Sequence, residues 1–403
     1  MGYPKLRKLL AFGAIILLLA EEAQAGGGAG VTAEPALLIP LGARADGMGS
    51  AFTALADDSS ALYYNPAGMS RLPFHEFALS YLSGISDNNL QDIAYAGPLP
   101  FSGLSDNGDA AFGASLLYNN DGTINVNTTN PDGSYAGSSN FNAGNDLIAT
   151  MGYSERLGRT ELPYGSQLLQ VNHYVGVSGE YIKSTLAQQY SAETAAGSAG
   201  YLADIPALGL SAGASLLNMG GRLRYIQASD PLPSMLKAGV GWTRGGQWGV
   251  MEFDADVTHL FTEEQQFYAV GGEYRIFNRY AVRLGYQYDA GSPLGLTAGF
   301  GFNWNRELIL DVAWLMSTQG LNDQMRLTLS YRFGRESRQE MDRRSNPHGN
   351  ISPSDVSAPA LKNLDQQVPR LEVFPDSPVR PSGASTLHEP PVRQDKNAIP
   401  GWQ

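Results

Sequence analysis

From His75 onward the chain alternates with a period of two, and this constrains the fold more than any other feature. The last segment is the cleanest case. Met325, Leu327, Leu329, Tyr331 and Phe333 alternate with Arg326, Thr328, Ser330 and Arg332. A strand points successive side chains to opposite faces, so one face here is wholly apolar and the other polar and charged. In an outer membrane the apolar face meets lipid and the polar face meets a lumen. The division recurs. Met251, Phe253, Ala255 and Val257 oppose Glu252, Asp254, Asp256 and Thr258, and Phe300, Phe302 and Trp304 oppose Gly299, Gly301 and Asn303.

Segments of this kind number about fourteen, from 75–84 and 89–97 to 307–317 and 325–334, and an even count closes a barrel with both ends in the periplasm. Breaks after even strands, such as 205–206 and 245–247, are short. The longest break, Asn120 to Gly144, follows an odd strand and is rich in Asn, Gly, Ser and Thr. Short periplasmic turns and long outer loops fix the orientation, although 98–109 and 156–170 are longer than that rule wants. Tyr and Trp near strand ends fit aromatic girdles.

Composition agrees. The 403 residues include no Cys, only 16% are charged, and the net charge is −12. The absence of Cys excludes a disulfide framework. An acidic chain lacks the basic face that nucleic acid requires. No apolar run outside the N-terminus is long enough for a membrane-spanning helix. The fold class expected is all-β: a closed antiparallel transmembrane β-barrel of about 14 strands in a Gram-negative outer membrane, with that membrane's lipid as partner.

The N-terminus reads as a secretory signal over residues 1–25: Lys5, Arg7 and Lys8, then the apolar Leu9 to Ala20, then Ala23-Gln24-Ala25. Residues 26–74 read as a plug and 75–334 as the barrel. Residues 335–403 are Pro-rich and charged, and are expected to be a disordered periplasmic tail. Leu371-Glu372-Val373-Phe374 is its candidate anchor for a periplasmic partner, because a short apolar run can add to a sheet edge.

The plug centres on GARADGMGSAFTALADDSSALYYNPAGM, Gly42 to Met69. Its small residues allow close backbone packing, and Asn65-Pro66-Ala67-Gly68 is turn chemistry. A short helix is expected near 52–56 or 59–63, with Asp57, Asp58, Ser59 and Ser60 as candidate caps. This stretch resembles the N-terminal signature of the PorV/PorQ family, within the broader FadL-like barrels. The resemblance rests on Gly42, Gly47, Gly49, Asp57, Asp58, Asn65, Pro66, Ala67 and Gly68, and spans about 36–334. It implies first a passive channel that carries small hydrophobic ligands past a shifting plug. It implies second a partner of type IX secretion-system proteins that receives cargo and delivers it to the surface. A structural outer-membrane protein is a third reading. Uptake predicts an apolar inner cluster under the outer loops; docking predicts apolar side chains on loop tips. The inner positions assignable from sequence are mostly Gly, Thr, Asn and charged, and the long loop is polar.

No catalytic constellation, metal site or cofactor is expected. Gly47-Met48-Gly49 lacks a preceding strand and has Phe52 where a dinucleotide loop needs its third glycine. His75-Glu76 lacks a second His at zinc spacing. Asn119 to Gly122 and Asn130 to Gly133 lack the closing Glu of a calcium loop. Glu252, Asp254 and Asp256 share one inner face about 7 Å apart and need counter-charges. Arg275 and Arg283 on neighbouring strands supply them, giving a lumenal charge ladder on which Arg44 of the plug is expected to dock.

Overall fold

A computed structural model describes residues 31–84, 87–101, 103–105, 109–227, 229–288, 294–305, 307–317 and 323–334. The signal peptide expected over 1–25 and the tail expected over 335–403 lie outside the described residues. The strands, in chain order, are β1 (His75–Ser83), β2 (Asn89–Pro98), β3 (Ala110–Asn120), β4 (Thr123–Thr129), β5 (Tyr135–Asn142), β6 (Gly144–Tyr164), β7 (Gln167–Leu186), β8 (Tyr190–Ile205) and β9 (Leu210–Gly220). They continue with β10 (Arg222–Arg224), β11 (Ser229–Pro231), β12 (Met235–Gly245), β13 (Gly249–Leu260), β14 (Gln265–Ile276), β15 (Tyr280–Tyr288), β16 (Leu294–Trp304), β17 (Leu308–Ser317) and β18 (Gln324–Phe333).

Fourteen of these close an antiparallel barrel, in which β1 pairs β18 from His75↔Phe333 to Ser83↔Met325. Closure leaves no strand edge in the bilayer, where an unpaired amide has no water to bond. The two remaining pairs, β4–β5 and β10–β11, are separate hairpins in outer loops. Outward positions of β18 (Met325, Leu327, Leu329, Tyr331) are exposed, and Arg326, Thr328 and Ser330 are buried inside. An exposed apolar belt around a closed barrel of even strand number is the construction of an outer-membrane protein, and the lipid is its solvent.

All fourteen segments expected from alternation are barrel strands, but three expectations about the breaks need correction. The break 156–170 is no loop. β6 and β7 run far beyond the wall and pair to Tyr164↔Gln167 around the left-handed Gly165. A long periplasmic break therefore becomes a tight turn on a protruding hairpin. The outer stretch after β3 is a second hairpin, β4–β5. It is not wholly polar, since Ile124, Val126, Tyr135 and Phe141 are exposed on it.

The plug threads the lumen from end to end. At the outer mouth Ala33 N–H donates to Pro231 O (2.9 Å), and Thr32 Oγ1 donates to Glu263 between β13 and β14. At the periplasmic end Arg71 lies 3.8 Å from Asp204 near the end of β8. Between them lie short helical turns at Pro35–Leu38, Ala43–Gly47, Ala61–Tyr64 and Pro66–Arg71. The helix at 43–47 was not anticipated. The one expected at 59–63 begins later, at Ala61, and Ser60 makes no side-chain cap. Asp58 Oδ1 instead accepts from Ser60 N (3.0 Å). At 52–56 there is a single turn, closed by Ala56 N–H to Phe52 O (2.8 Å).

Candidate functional site

The plug is held to the wall in two ways, and the sequence motif encodes both. The first is close backbone approach. A Cβ on Gly285 would overlap the Gly49 amide, one on Gly271 would overlap Met48 O, and one on Gly213 would overlap Thr53 O. Gly47 and Gly299 face each other, each Cα 3.0 Å from where the other's Cβ would stand. Gly49 also sits at φ +67°, a region that L side chains rarely adopt. Gly113 meets Met69 and Leu62 of the plug as Gly213 meets Thr53.

The second is charge. Arg44 donates to Asp57 (2.5 Å) and Asp58 (3.2 Å) within the plug, and to Glu252 (2.8 Å) and Glu273 (3.3 Å) on the wall. Arg275 pairs with Glu252 and Glu273, and Arg283 pairs with Glu273 and with Asp311 (2.7 Å). Glu273 and Asp311 were not singled out from sequence, though each faces inward by strand parity. Phe52 stacks under the Arg44 guanidinium, 4.9 Å to the ring centroid.

Asp254 and Asp256 do not belong to this ion-pair network, contrary to the ladder expectation. Asp256 Oδ2 accepts from Phe52 N (2.9 Å), Thr53 N (3.0 Å) and Thr53 Oγ1 (2.7 Å). Asp254 Oδ2 accepts from Ala54 N (3.2 Å) and Leu55 N (3.1 Å). Their partners are the amides of the 52–55 turn, which an arginine pattern cannot reveal. Asn65 ties the lower plug: Nδ2 donates to Thr53 O and Tyr201 O (both 3.1 Å), and Oδ1 accepts from Ala67 N (3.2 Å). Pro66, Ala67 and Gly68 are buried in the turn that follows, and a Cβ on Gly68 would strike Ala56 O. Gly42, at φ +87°, starts the 43–47 helix.

The outer half of the lumen has a different character. Leu82, Leu90, Leu117, Ile148 and Ile182 point inward from the outer ends of β1–β3, β6 and β7. They pack on Ala36, Leu37 and Leu41 of the plug, with Leu223 and Leu232 of an outer loop above. This cluster was missed because the readable strands lay on the opposite wall, β13 to β18. A cavity of about 40 Å³ remains between the Leu37 turn and the wall. Among the described residues no group of three or more His, Asp or Glu side chains could hold a metal ion.

The strap over this cluster carries a buried acid. Glu34 sits at φ 62° and is 3% exposed. Burial, then the neighbouring carboxylates Asp146 and Asp121, push its pKa up to about 9. Ser184 and Tyr225 are its other polar neighbours. The docked strap therefore holds a proton that free Glu34 releases near 4.5, so docking weakens as pH climbs from about 4.5 to about 9. A spin label on Val31→Cys, unambiguous in a chain without cysteine, is expected to gain mobility between pH 6 and 9.5. Glu34→Gln should flatten that response; an unchanged response would remove Glu34 from the account.

The chain is similar to one described family and to several solved structures. A family described as "Uncharacterised protein family (UPF0164)" matches residues 13–125. A UPF0164 protein of Treponema pallidum (strain Nichols) is 44% identical over 59 residues, 15% of this chain and 14% of that relative. Among solved structures, the Pseudomonas putida toluene transporter TodX is similar with a TM-score of 0.44 and 15% identity, over 72% of this chain and 98% of TodX. The CymD monoaromatic hydrocarbon channel is similar with a TM-score of 0.45 and 11% identity, over 73% of this chain and 97% of CymD. A Pseudomonas aeruginosa FadL homologue is similar with a TM-score of 0.36 and 12% identity, over 72% and 96% of the respective chains.

Proposed function

We propose that the barrel is a plugged passive channel, admitting small hydrophobic molecules to an apolar vestibule in the outer half of its lumen. The vestibule carries the reading. Leu82, Leu117, Ile148 and Ile182 form an inward apolar face at the outer end of the lumen, away from the Arg44 ion-pair network, and a short strap covers it. A wall built for stability alone has no need of it, since polar inner faces are the barrel norm. Near the vestibule the β8–β9 ladder shifts register between Gly197 and Ala199, which weakens the wall where a ligand could pass sideways. Flow follows the gradient, as no nucleotide site was read from the sequence.

The test uses N-phenyl-1-naphthylamine, a probe that brightens in apolar surroundings. Wild-type barrel in amphipol is expected to bind it saturably. Leu117→Asp, which places a charge in the vestibule, should weaken binding by about tenfold or more. Equal binding by a variant that still migrates as a folded barrel would overturn the reading.

A second reading follows from the outer hairpin. Ile124, Val126, Tyr135 and Phe141 expose apolar side chains on β4–β5 beyond the membrane, where a protein partner could cover them. This suits the PorV-like role in secretion that the plug motif implies. Co-purification of a secreted protein, lost when β4–β5 is replaced by a Gly-Ser turn, would favour it.

A further inference from the structure

The cavity beside the vestibule has one feature that an apolar-molecule channel does not need. Glu180, on β7, lines it together with Ser198, Asn218, Leu37, Leu117 and Leu217. Oε1 of Glu180 accepts from Ser198 Oγ (2.7 Å) and Ser178 Oγ (3.1 Å). Asn218 N–H in turn donates to Ser198 Oγ (3.1 Å), which directs that hydroxyl's proton at the carboxyl group. The other oxygen, Oε2, is buried and has no hydrogen-bond partner among the described residues. Glu180 is 7% exposed and forms no ion pair among the described residues.

A buried carboxyl oxygen without a donor costs free energy until something supplies one. The surrounding donors are already spent on Oε1, so Oε2 is left to whatever head group enters the cavity of about 40 Å³ that Glu180 lines. An anionic head there would bring acceptor against acceptor with no donor between them, in a low-dielectric site. A hydroxyl or ammonium head would complete the carboxyl group's bonding. The tail would then lie against Leu117 and Ile148, in the place of the Pro35–Leu38 turn, whose start has no side-chain cap.

We propose that Glu180 selects the cargo: small amphiphiles whose head group donates a hydrogen bond are taken, and carboxylates are refused. This rests on the channel reading above. The test is displacement of N-phenyl-1-naphthylamine from the full barrel at pH 7.4 by octan-1-ol, octylamine and octanoate, three tails of one length. The alcohol and the amine are expected to compete about tenfold or more better than octanoate. Glu180→Gln, whose amide can donate to a carboxylate, should bring octanoate to within about threefold of octanol. Equal competition by all three on the wild type would overturn the proposal, as would discrimination that survives Glu180→Gln. If no octyl compound competes while the probe still binds, this selectivity fails and the channel stands. If the probe itself does not bind, the channel reading fails first.

Discussion

Replacing Arg44 by leucine is expected to undock the plug without unfolding the barrel. Three guanidiniums, of Arg44, Arg275 and Arg283, serve five carboxylates, of Asp57, Asp58, Glu252, Glu273 and Asp311. The cluster is already short of positive charge. Arg44→Leu takes the only ion-pair partner of Asp57 and Asp58 among the described residues, and leaves both inside the lumen. Breaking a buried pair by removing one partner costs about 3–5 kcal/mol, because the stranded charge is the expensive part. That cost falls on plug docking, since the wall carboxylates keep Arg275 and Arg283. The readout is ionic conductance across a planar bilayer. Frequent openings should appear in Arg44→Leu and be rare in wild type, while the heat-modifiable migration of the barrel persists. Arg44→Lys should be intermediate: it restores charge but not the fork that reaches four carboxylates at once. A closed, wild-type-like Arg44→Leu would mean that backbone contact alone seals the lumen.

The second large effect is steric. Gly285→Ala places a methyl group on the backbone of Gly49, and neither side has a flexible end to move. Overpacking typically costs about 1–3 kcal/mol when side chains can adjust. Here the plug itself must shift, so the same conductance assay is expected to show opening. Gly179→Ala on β7 is the matched control, since nothing lies within 4 Å of its added Cβ. Equal behaviour of the two variants would remove the close approach from the account.

The barrel was legible in sequence because alternation with a lipid-facing apolar side is a strong signal on β13 to β18. On β1–β3 and β6–β8 it is weaker. There the outer ends carry apolar residues on both faces: Leu117 and Ile182 point inward, while Leu116 and Tyr181 point to lipid. Alternation vanishes where both faces are greasy, and the vestibule vanished with it. The β6–β7 extension was hidden for the opposite reason. Outside the bilayer its strands have no lipid to select a period, so 156–170 read as a loop. Of the candidate site, Arg44, Glu252, Arg275 and Arg283 were legible as opposite charges at inward positions. Asp254 and Asp256 were misassigned because their partners are backbone amides, and every residue type carries those.

The central claim is that the outer vestibule receives a small apolar molecule. The most direct measurement is a crystal structure of the barrel grown with decane. The account predicts density in the lumen against Leu117, Ile148 and Ile182, with the 35–41 strap displaced and the Arg44 network in place. Decane found only on the lipid-facing belt, with the strap still packed on those side chains, would contradict it.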